Sequence, residues 1–455
     1  MILSLGLKRN KYKVFIFILF FLLSFLRVYG EEKKGLISIS DVQILNLAKS
    51  FIDQHELALA KDLLSKKSFV IRELEVERLF LLGKIFFYEK DYDSAIDIFQ
   101  FILETEPQAA KVRFELALAY IEKESWYSAD YHLRLSATEK DLPQSVHQNI
   151  DRLLYIIRQN KNWNLGVNIG FAPDRNINNT SNINEECVST IYGILCRKLP
   201  SAEKEIGFNS SIFADYEFRF DEYFRFKNNI YLSNTKYNNK KYDSTFLSLS
   251  TGPKFIYSDG DMYFPFVFTR RWSNHKPYNY GVGLQFDTNY DFNQKASANL
   301  TVGFTYNFHD KYRELNGFTK FINTSLSYNI NSITNINFKI GKEYEDTKVK
   351  EYINGNKNFS FGIGSELLYG FSVYVEPSVN IQQYKYSNIF VKNFQFQELI
   401  EHNITQKYLM SITNRKFHLY GFSPTFRYWY IKRNSNINQN IYHKHLFDIT
   451  ITRRL

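Results

Sequence analysis

The most constraining feature of the sequence is a two-residue alternation of apolar and polar side chains from about residue 163 to the end of the chain. In the segment 278–290, one face carries Tyr278, Tyr280, Val282, Leu284, Phe286 and Tyr290, and the other carries Asn279, Gly281, Gly283, Gln285, Asp287 and Asn289. A period of two is that of a β-strand and not of a helix. The last two-thirds of the chain is therefore predicted to be a β-sheet protein.

A soluble β-sandwich also alternates, so the aromatic content and the strand length have to decide between a sandwich and a membrane barrel. Phe and Tyr dominate the apolar faces and gather near strand ends, as expected of side chains that anchor at the lipid headgroups. Aromatic residues make up 17% of the chain, which is high for a soluble domain. Only a closed sheet pairs its backbone groups in lipid while lining a polar lumen. We therefore predict an all-β transmembrane barrel.

The alternation divides the barrel into about fourteen antiparallel strands, an even number as expected of a single-chain bacterial barrel. Their predicted starts are Trp163, Glu205, Glu222, Asp243, Asp261, Tyr278, Lys295, Gly317, Ser332, Lys357, Gly370, Asn403, Phe417 and Asn440. Tight turns are predicted near Asp221, 259–261, Asn293, Asn331, Gly370 and 414–416, moderate loops around Lys311, Glu351 and Asn434, and long loops over 173–204 and 387–402. If the residues before Trp163 are periplasmic, the tight turns face the periplasm and the long loops face outward.

The first thirty residues have the pattern of a secretory signal peptide. Basic residues between Lys8 and Lys13 precede an apolar run over 14–26, and Val28 and Gly30 suit the cleavage site. The run is short for a membrane span. The predicted domains are a signal peptide over 1–30, a periplasmic helical domain over 31–160 and an outer-membrane barrel over 161–455.

The helical domain carries an internal repeat with the spacing of the tetratricopeptide repeat, which predicts an α-helical tetratricopeptide-like solenoid. Its best copy is Leu82, Gly83, Phe86, Ala95, Phe99 and Pro107, the next is Leu116, Ala117, Tyr120, Ala129 and Leu133, and a weaker early copy is Leu47, Ala48, Phe51, Ala60 and Leu64. Residues 144–160 look like a capping helix. The repeat positions are expected to be core, whereas Trp126, Tyr127 and Tyr131 near an inter-helix turn are candidate partner contacts.

Other function classes find little support in the residues. Cys187 and Cys196 lie in the long first loop, where an oxidising periplasm is expected to join them as a structural disulfide rather than a metal site. The formal charge of +10 includes the signal peptide, and dispersed Lys and Arg do not indicate nucleic-acid binding. Neither a phosphate-binding glycine loop nor a catalytic set of Ser, His and carboxylate can be recognised, so we expect no enzyme activity, cofactor or metal.

The junction between helices and barrel carries an unusual motif, Gly-Phe-Ala-Pro-Asp-Arg-Asn-Ile-Asn, over 170–178. On residue chemistry alone it is a turn, since Pro173 stops a strand ladder and Asp174, Asn176 and Asn178 can bond nearby backbone. Together with the signal peptide, the helical domain and the barrel, the motif resembles the surface lipoprotein assembly modulator (Slam) family, whose barrels begin with a similar signature. The final residue, Leu455, departs from the aromatic that is usual there.

The resemblance implies an outer-membrane helper that moves a cargo lipoprotein or related secreted protein to the cell surface. It implies cargo or chaperone engagement by residues 41–160 and translocation or release by the barrel, with outer-membrane lipids, a periplasmic chaperone and the barrel assembly machinery as candidate partners. The residues leave two alternatives open. An exopolysaccharide exporter would need aromatic platforms and carboxylates or basic residues along the lumen. A porin with a periplasmic interaction module would conduct solutes without cargo.

Overall fold

A computed structural model describes residues 39–66, 68–139, 142–181, 183, 185–392, 395–414 and 423–454. The predicted signal peptide lies outside these residues. The chain divides into two compact units, Met1–Leu81 and Leu82–Leu455. The second unit therefore contains both the later helices and the whole barrel.

The described part of the chain begins with seven helices, which confirms the predicted order of a helical region followed by a barrel. They are α1 (Ile39–Asp53), α2 (Leu57–Ser65), α3 (Arg72–Tyr88), α4 (Tyr92–Thr105), α5 (Ala110–Glu122), α6 (Trp126–Ser136) and α7 (Gln144–Asn160). None of these described helices has the length and apolar character needed to cross a bilayer.

The helices of the second unit pack through small residues at close approaches. A Cβ added at Gly83 would lie 2.5 Å from a ring carbon of Phe99, so a larger residue there would require the Phe99 ring between α3 and α4 to move. Phe99 and Leu133 are fully buried, as predicted for repeat positions, whereas Leu47 of the weaker early copy is 48% exposed and does not fit the prediction. An apolar core joins α5, α6 and α7 through Ala117, Ala129, Leu133, Ala137, Ile150, Leu154 and Ile157. The assignment of these helices to tetratricopeptide repeats stays a prediction.

The barrel consists of fourteen antiparallel wall strands and is closed, as predicted. The strands are β1 (Trp163–Asp174), β4 (Glu205–Arg219), β5 (Phe224–Lys236), β6 (Ser244–Tyr257), β7 (Gly260–Tyr263), β8 (Phe266–Ser273), β9 (Lys276–Asp291), β10 (Ala296–His309), β11 (Gly317–Asn329), β12 (Thr334–Thr347), β13 (Asn354–Glu366), β14 (Phe371–Lys392), β15 (Gln395–Asn414), β16 (Ser423–Ser435) and β17 (Tyr442–Arg454). β7 and β8 together fill one position, because both pair with β6 and β9. Pairing of β17 with β1 closes the sheet. A separate hairpin, β2 (Glu185–Thr190) and β3 (Gly193–Lys198), lies in the first loop.

Most predicted strand starts lie within three residues of the observed ones, and the long loop predicted over 387–402 is wrong. β14 and β15 instead continue as a paired hairpin out to Lys392 and Gln395, past a register shift between Gln383 and Ser387. The predicted start at Asn403 is therefore late. The predicted start at Phe417 and the predicted tight turn over 414–416 reach into 415–422, outside the described residues.

The two faces of the wall follow the predicted alternation. Phe171 and Leu284 are 58% and 50% exposed, as expected of side chains that face lipid. Their neighbours Gly170 and Gly283 are buried against the wall. The opposite face is lined by Asn, Ser, Thr and Gly and by many charged side chains in ion pairs, such as Lys339 with Glu376 at 2.8 Å and Lys254 with Glu217 at 2.8 Å. The lumen is therefore polar.

Candidate functional site: a helical cap on the short-turn rim

The short turns of the barrel meet at one end, which we call the short-turn rim. Its described turns are 220–223, 258–259, 292–295, 330–333 and 367–370. Helices α4–α7, residues 92–160, lie against this rim, and we call them the helical cap. Their contacts reach the rim at all five of these turns or at the strand ends beside them. The cap therefore lies across the mouth of the lumen.

A buried ion pair fixes α5 to the end of β13. The Arg113 guanidinium donates to the Glu366 carboxylate, and both side chains are almost fully buried, with exposed fractions of 0% and 7%. Arg113 also donates to the carbonyl of Pro107 at 2.6 Å, and the Tyr131 hydroxyl from α6 donates to the second Glu366 oxygen. Because removing one partner of a buried pair leaves the other charge uncompensated, this contact holds the cap strongly.

A second anchor lies at the end of β9. Asp291 accepts from Arg134 of α6 at 2.9 Å and from Arg158 of α7 at 2.5 Å. Next to it, the Gln294 amide donates to the Asp151 carboxylate at 2.8 Å. One carboxylate thus ties two cap helices to the same corner of the rim. It is 21% exposed, so salt screens these pairs more than the buried one.

A third anchor joins the end of α7 to β5. Arg225, which is fully buried, donates to Glu217 at 3.0 Å and to the carbonyl of Lys161 at 3.0 Å. Glu217 also pairs with Lys254 at 2.8 Å. The guanidinium therefore links the backbone that leaves the cap to the inner wall of the barrel.

Lys161 lies between α7 and β1, and its ammonium is 3.0 Å from the centre of the Tyr127 ring. Burial lowers the pKa of Lys161 to about 8, with Asp130 opposing the shift and Lys254 and Lys227 adding to it. Burial, and secondarily Asp215, raises the pKa of the Tyr127 hydroxyl, which donates to Asp215 at 3.4 Å. At neutral pH the tyrosine is thus neutral and the lysine carries a charge that the fold disfavours.

The lowered pKa predicts a pH dependence of cap stability. Between pH 8 and the ordinary pKa of a lysine, the unfolded cap binds a proton that the folded cap does not, so stability rises with pH in that window. We expect the Lys161→Met variant to have a higher melting temperature than the wild type at pH 7, and this difference to shrink as the pH rises through 8. Thermal melts from pH 6.5 to 9.5 measure it, with Lys123→Met, at an exposed ion pair, as the control. A constant difference would contradict the prediction.

The three aromatics predicted as partner contacts have contacts within the chain. Tyr127 and Tyr131 reach Asp215 and Glu366 on the barrel, as described above. Trp126 packs against the apolar core of α5–α7. Tyr131 keeps an exposed fraction of 40%. A contact of any of them with a partner stays a prediction, but the contacts of Tyr127 and Tyr131 help to hold the cap on the barrel.

The junction motif lies at the opposite end of β1. Asp174 accepts from the backbone NH of Asn176 at 2.8 Å and pairs with Lys444 of β17 at 3.0 Å. The Asn176 amide donates to the carbonyl of Thr180 at 2.8 Å, and the Asn178 amide donates to that of Ser201 at 2.8 Å. The prediction that Pro173 stops the ladder is wrong, because β1 continues to Asp174 and Pro173 pairs with Ile206 of β4. The side chains of Asp174, Asn176 and Asn178 do bond backbone groups beyond the strand, and Asp174 additionally joins the first strand to the last. The pairing with Lys444 could not be seen in the sequence because 270 residues separate the two.

Cys187 and Cys196 are joined as a disulfide across the β2–β3 hairpin. The hairpin lies beside β14 and β15, and Glu186 accepts from Gln439 in the last loop. Three of the loops at the long-loop end are thereby linked.

We expect removal of the disulfide to loosen this hairpin and to leave the barrel intact. The chain-entropy model gives about 3 kcal/mol for a loop of this size. The Cys187→Ser/Cys196→Ser variant should therefore be cut within 185–198 by protease added to intact cells, faster than the wild type. Ser189→Ala, on an exposed position of the same hairpin, is the control. Equal cutting rates would show that the bond does not hold the hairpin.

The cap and the cavities behind it are arranged so that a molecule could pass through the lumen and the cap could control its entry. Tyr131 and Leu135 of α6 line a cavity of about 180 Å³ with lumen residues of β12–β15, including Tyr374 and Thr413. A larger cavity of about 490 Å³ lies further along the lumen, with Asn, Ser, Thr and the pair Lys339 and Glu376 in its wall. The cap therefore stands between the short-turn side and a polar, partly open interior.

Comparisons with solved structures find outer-membrane barrels of low similarity. A Pseudomonas aeruginosa FadL homologue is 6% identical with a TM-score of 0.38, and covers 72% of this chain and 93% of its own. A loop-deletion mutant of the Vibrio cholerae outer membrane protein OmpT is 7% identical with a TM-score of 0.35, covering 64% of this chain and 98% of its own. Similarities of this size indicate neither substrate nor partner. No curated protein matches the sequence.

The comparison with protein families gives a definite result. The profile of the surface lipoprotein assembly modifier family matches residues 163–454, which is the whole barrel from the first wall strand to the last. The match confirms the resemblance inferred from the junction motif and the domain order. It also places the barrel in the outer membrane, in a family of transport barrels and not of enzymes. The chain belongs to the surface lipoprotein assembly modifier family.

Proposed function

We propose that the protein exports specific lipoproteins across the outer membrane to the cell surface. The family match over the barrel carries this proposal, because the family acts in surface lipoprotein assembly. The short-turn rim and the helical cap would then face the periplasm, as in barrels with short periplasmic turns. The cap is in the position where cargo, alone or with a chaperone, would first arrive.

The polar lumen suits an unfolded polypeptide better than its lipid anchor. Asn, Ser and Thr side chains offer hydrogen bonds to a passing backbone, as the wall of the larger cavity shows. An acyl chain gains about 0.8 kcal/mol for each CH₂ that leaves water for lipid, so drawing it through a wet lumen is costly. The protein part and the lipid part of the cargo therefore call for different routes.

The cap supplies a means of controlling entry. Its anchors are ion pairs and hydrogen bonds to the rim, at Glu366, Asp291 and Arg225. The pairs at Asp291, which is 21% exposed, can exchange for contacts with a cargo or chaperone at little net cost. The buried pair at Glu366 separates readily only if the cargo or chaperone replaces the lost partner. We propose that cargo binding shifts the cap from the mouth of the lumen.

The test is a deletion of the gene and its complementation in the native host. Surface proteins of intact cells are digested with protease, and the protected lipoproteins are compared by mass spectrometry. We expect one or a few lipoproteins to become protected in the deletion strain and exposed again on complementation. Unchanged exposure of every lipoprotein would refute the proposal. Loss of a surface polysaccharide would support the exporter alternative, and loss of solute uptake alone would support a porin.

A further inference from the structure

We propose that the closing seam between β1 and β17 opens sideways to release the lipid anchor of the cargo, and that Asp174 and Lys444 latch it. The inference rests on the proposed function and adds the route by which the lipid leaves. Three observations support it: the short ladder of hydrogen bonds between β1 and β17, the ion pair of Asp174 with Lys444, which we call the latch, and the direct connection of β1 to the cap.

With β7 and β8 counted as the one wall position that they fill together, the seam has the shortest ladder of the wall in the described residues. Seven residue pairs join β1 to β17, from Gly166–Arg454 to Asp174–Leu446. The other edge of β1 is joined to β4 by twelve pairs, and β17 is joined to β16 by eleven. Since ladder hydrogen bonds hold neighbouring strands, β1 and β17 separate here with fewer bonds lost.

The ladder is also interrupted near the long-loop end. Ala172 and Pro173 have no partner in β17 within the described register, and proline has no NH to donate. Tyr442–His445 of β17 extend beyond the pairing with β1. Close to this end, side-chain contacts therefore hold β1 to β17 more than backbone hydrogen bonds do.

The side-chain contact there is the ion pair of Asp174 with Lys444. The two charged atoms are 3.0 Å apart and both side chains are 10% exposed. The junction motif fixes the position of Asp174 through the NH of Asn176. A shielded charge pair at the end of a weak ladder can hold the strands together and still be broken by a competing charge.

The inner side of the seam is narrow and incompletely bonded. A Cβ at Gly170 would lie 2.2 Å from the carbonyl oxygen of Ile449, so the strands approach closely only because glycine is present. Thr450 is 3% exposed, and its hydroxyl has no hydrogen-bond partner among the described residues. One carboxylate oxygen of Asp448 is also buried without a hydrogen-bond partner among the described residues. Buried polar atoms without partners make the closed state less favourable.

The cap is connected to the seam through the chain. Lys161 and Asn162 are the only residues between α7 and β1. α7 is held by Arg158 to Asp291, and the carbonyl of Lys161 is held by Arg225. A shift of α7 would therefore pull on the first residues of β1, which begins at Trp163. Movement of the cap and opening of the seam would thus be coupled.

A reversible lock tests the proposal. Ile169 and Ile451 are cross-strand partners at the seam, and Val302 and Ile322 are partners on the lipid face of β10 and β11. Cysteine pairs are introduced at each place and oxidised, and the cargo is the lipoprotein that loses surface exposure in the deletion strain. We expect the Ile169→Cys/Ile451→Cys lock to reduce surface exposure to the level of the deletion strain, and reductant to restore it. The Val302→Cys/Ile322→Cys lock should export like the wild type.

Equal export by both locked barrels would overturn the seam proposal while leaving the proposed function intact, since the wild type still exports. Absence of any cargo that depends on the wild type would instead refute the proposed function. Folding of each variant is checked by the faster migration of unheated barrels on gels.

The latch is tested independently of cargo. We expect Asp174→Lys to lower the temperature at which the purified barrel loses its compact form on unheated gels. With the single change Ile169→Cys added as a thiol at the seam, we also expect faster reaction of that thiol with lipid-soluble reagents. The Asp174→Lys/Lys444→Asp variant restores the pair and should restore both values. Arg270→Asp, which breaks the exposed pair with Asp310 at another strand end, is the matched control. If Asp174→Lys changes neither the transition temperature nor the reaction of the seam thiol, the latch proposal is overturned.

Discussion

Replacing Glu366 by alanine is expected to release the helical cap from the barrel and to abolish export. The change leaves Arg113, which is fully buried, without its carboxylate, and it removes the acceptor of the Tyr131 hydroxyl. Breaking a buried pair in this way costs about 3–5 kcal/mol. We expect a larger ion conductance of the purified protein in a planar bilayer, because the cap no longer covers the mouth of the lumen, and faster proteolysis of the cap.

The double variant Arg113→Met/Glu366→Leu distinguishes the effect of an unpaired buried charge from the effect of lost packing. Replacing both partners by apolar residues of similar size is often neutral, so this variant should keep the cap docked and the conductance low. Glu351→Gln, at an exposed position in the loop between β12 and β13, is the surface control. If Glu366→Ala keeps the low conductance of the wild type, the buried pair does not hold the cap.

The barrel could be predicted from the sequence because lipid imposes a local rule. Every wall strand alternates between lipid and lumen, so residues 278–290 show their two faces without any knowledge of their neighbours. The alternation is no longer required in parts of a strand that extend beyond the membrane. In the extension of β14 and β15 beyond Ser387, both faces are outside the wall, and Ile389 and Phe396 are 68% and 69% exposed. Without one apolar face the segment resembles a loop.

The candidate site could be predicted only in part, because its contacts join residues far apart in the chain. Arg113 and Glu366 are separated by 253 positions, and nothing around either residue indicates the other. The motif at 170–178 stands out in the sequence, but the sequence suggests only a turn. The role of Asp174 in joining β1 to β17 depends on the closure of the sheet, which brings the first and last strands together.

Reversing the charge of Asp291 is expected to detach the cap in a salt-dependent manner. Asp291→Arg places a third cation beside Arg134 and Arg158, which lie 2.9 and 2.5 Å from the present carboxylate. Like charges at this distance repel, and α6 and α7 lose their common anchor. We expect higher conductance and loss of export at low ionic strength, with part of the loss recovered in about 0.5 M salt, because ions screen a partly exposed site.

A compensating change identifies the contact. Arg134→Asp in the Asp291→Arg background restores one pair in reversed order, and we expect it to lower the conductance again and to recover part of the export. Asp259→Arg is the matched control, since Asp259 is exposed on the same rim and its carboxylate accepts from its neighbour Ser258. The Glu366→Ala defect should persist in high salt because its site is buried. Equal salt dependence of the two variants would show that one common event, and not two separate anchors, controls the release of the cap.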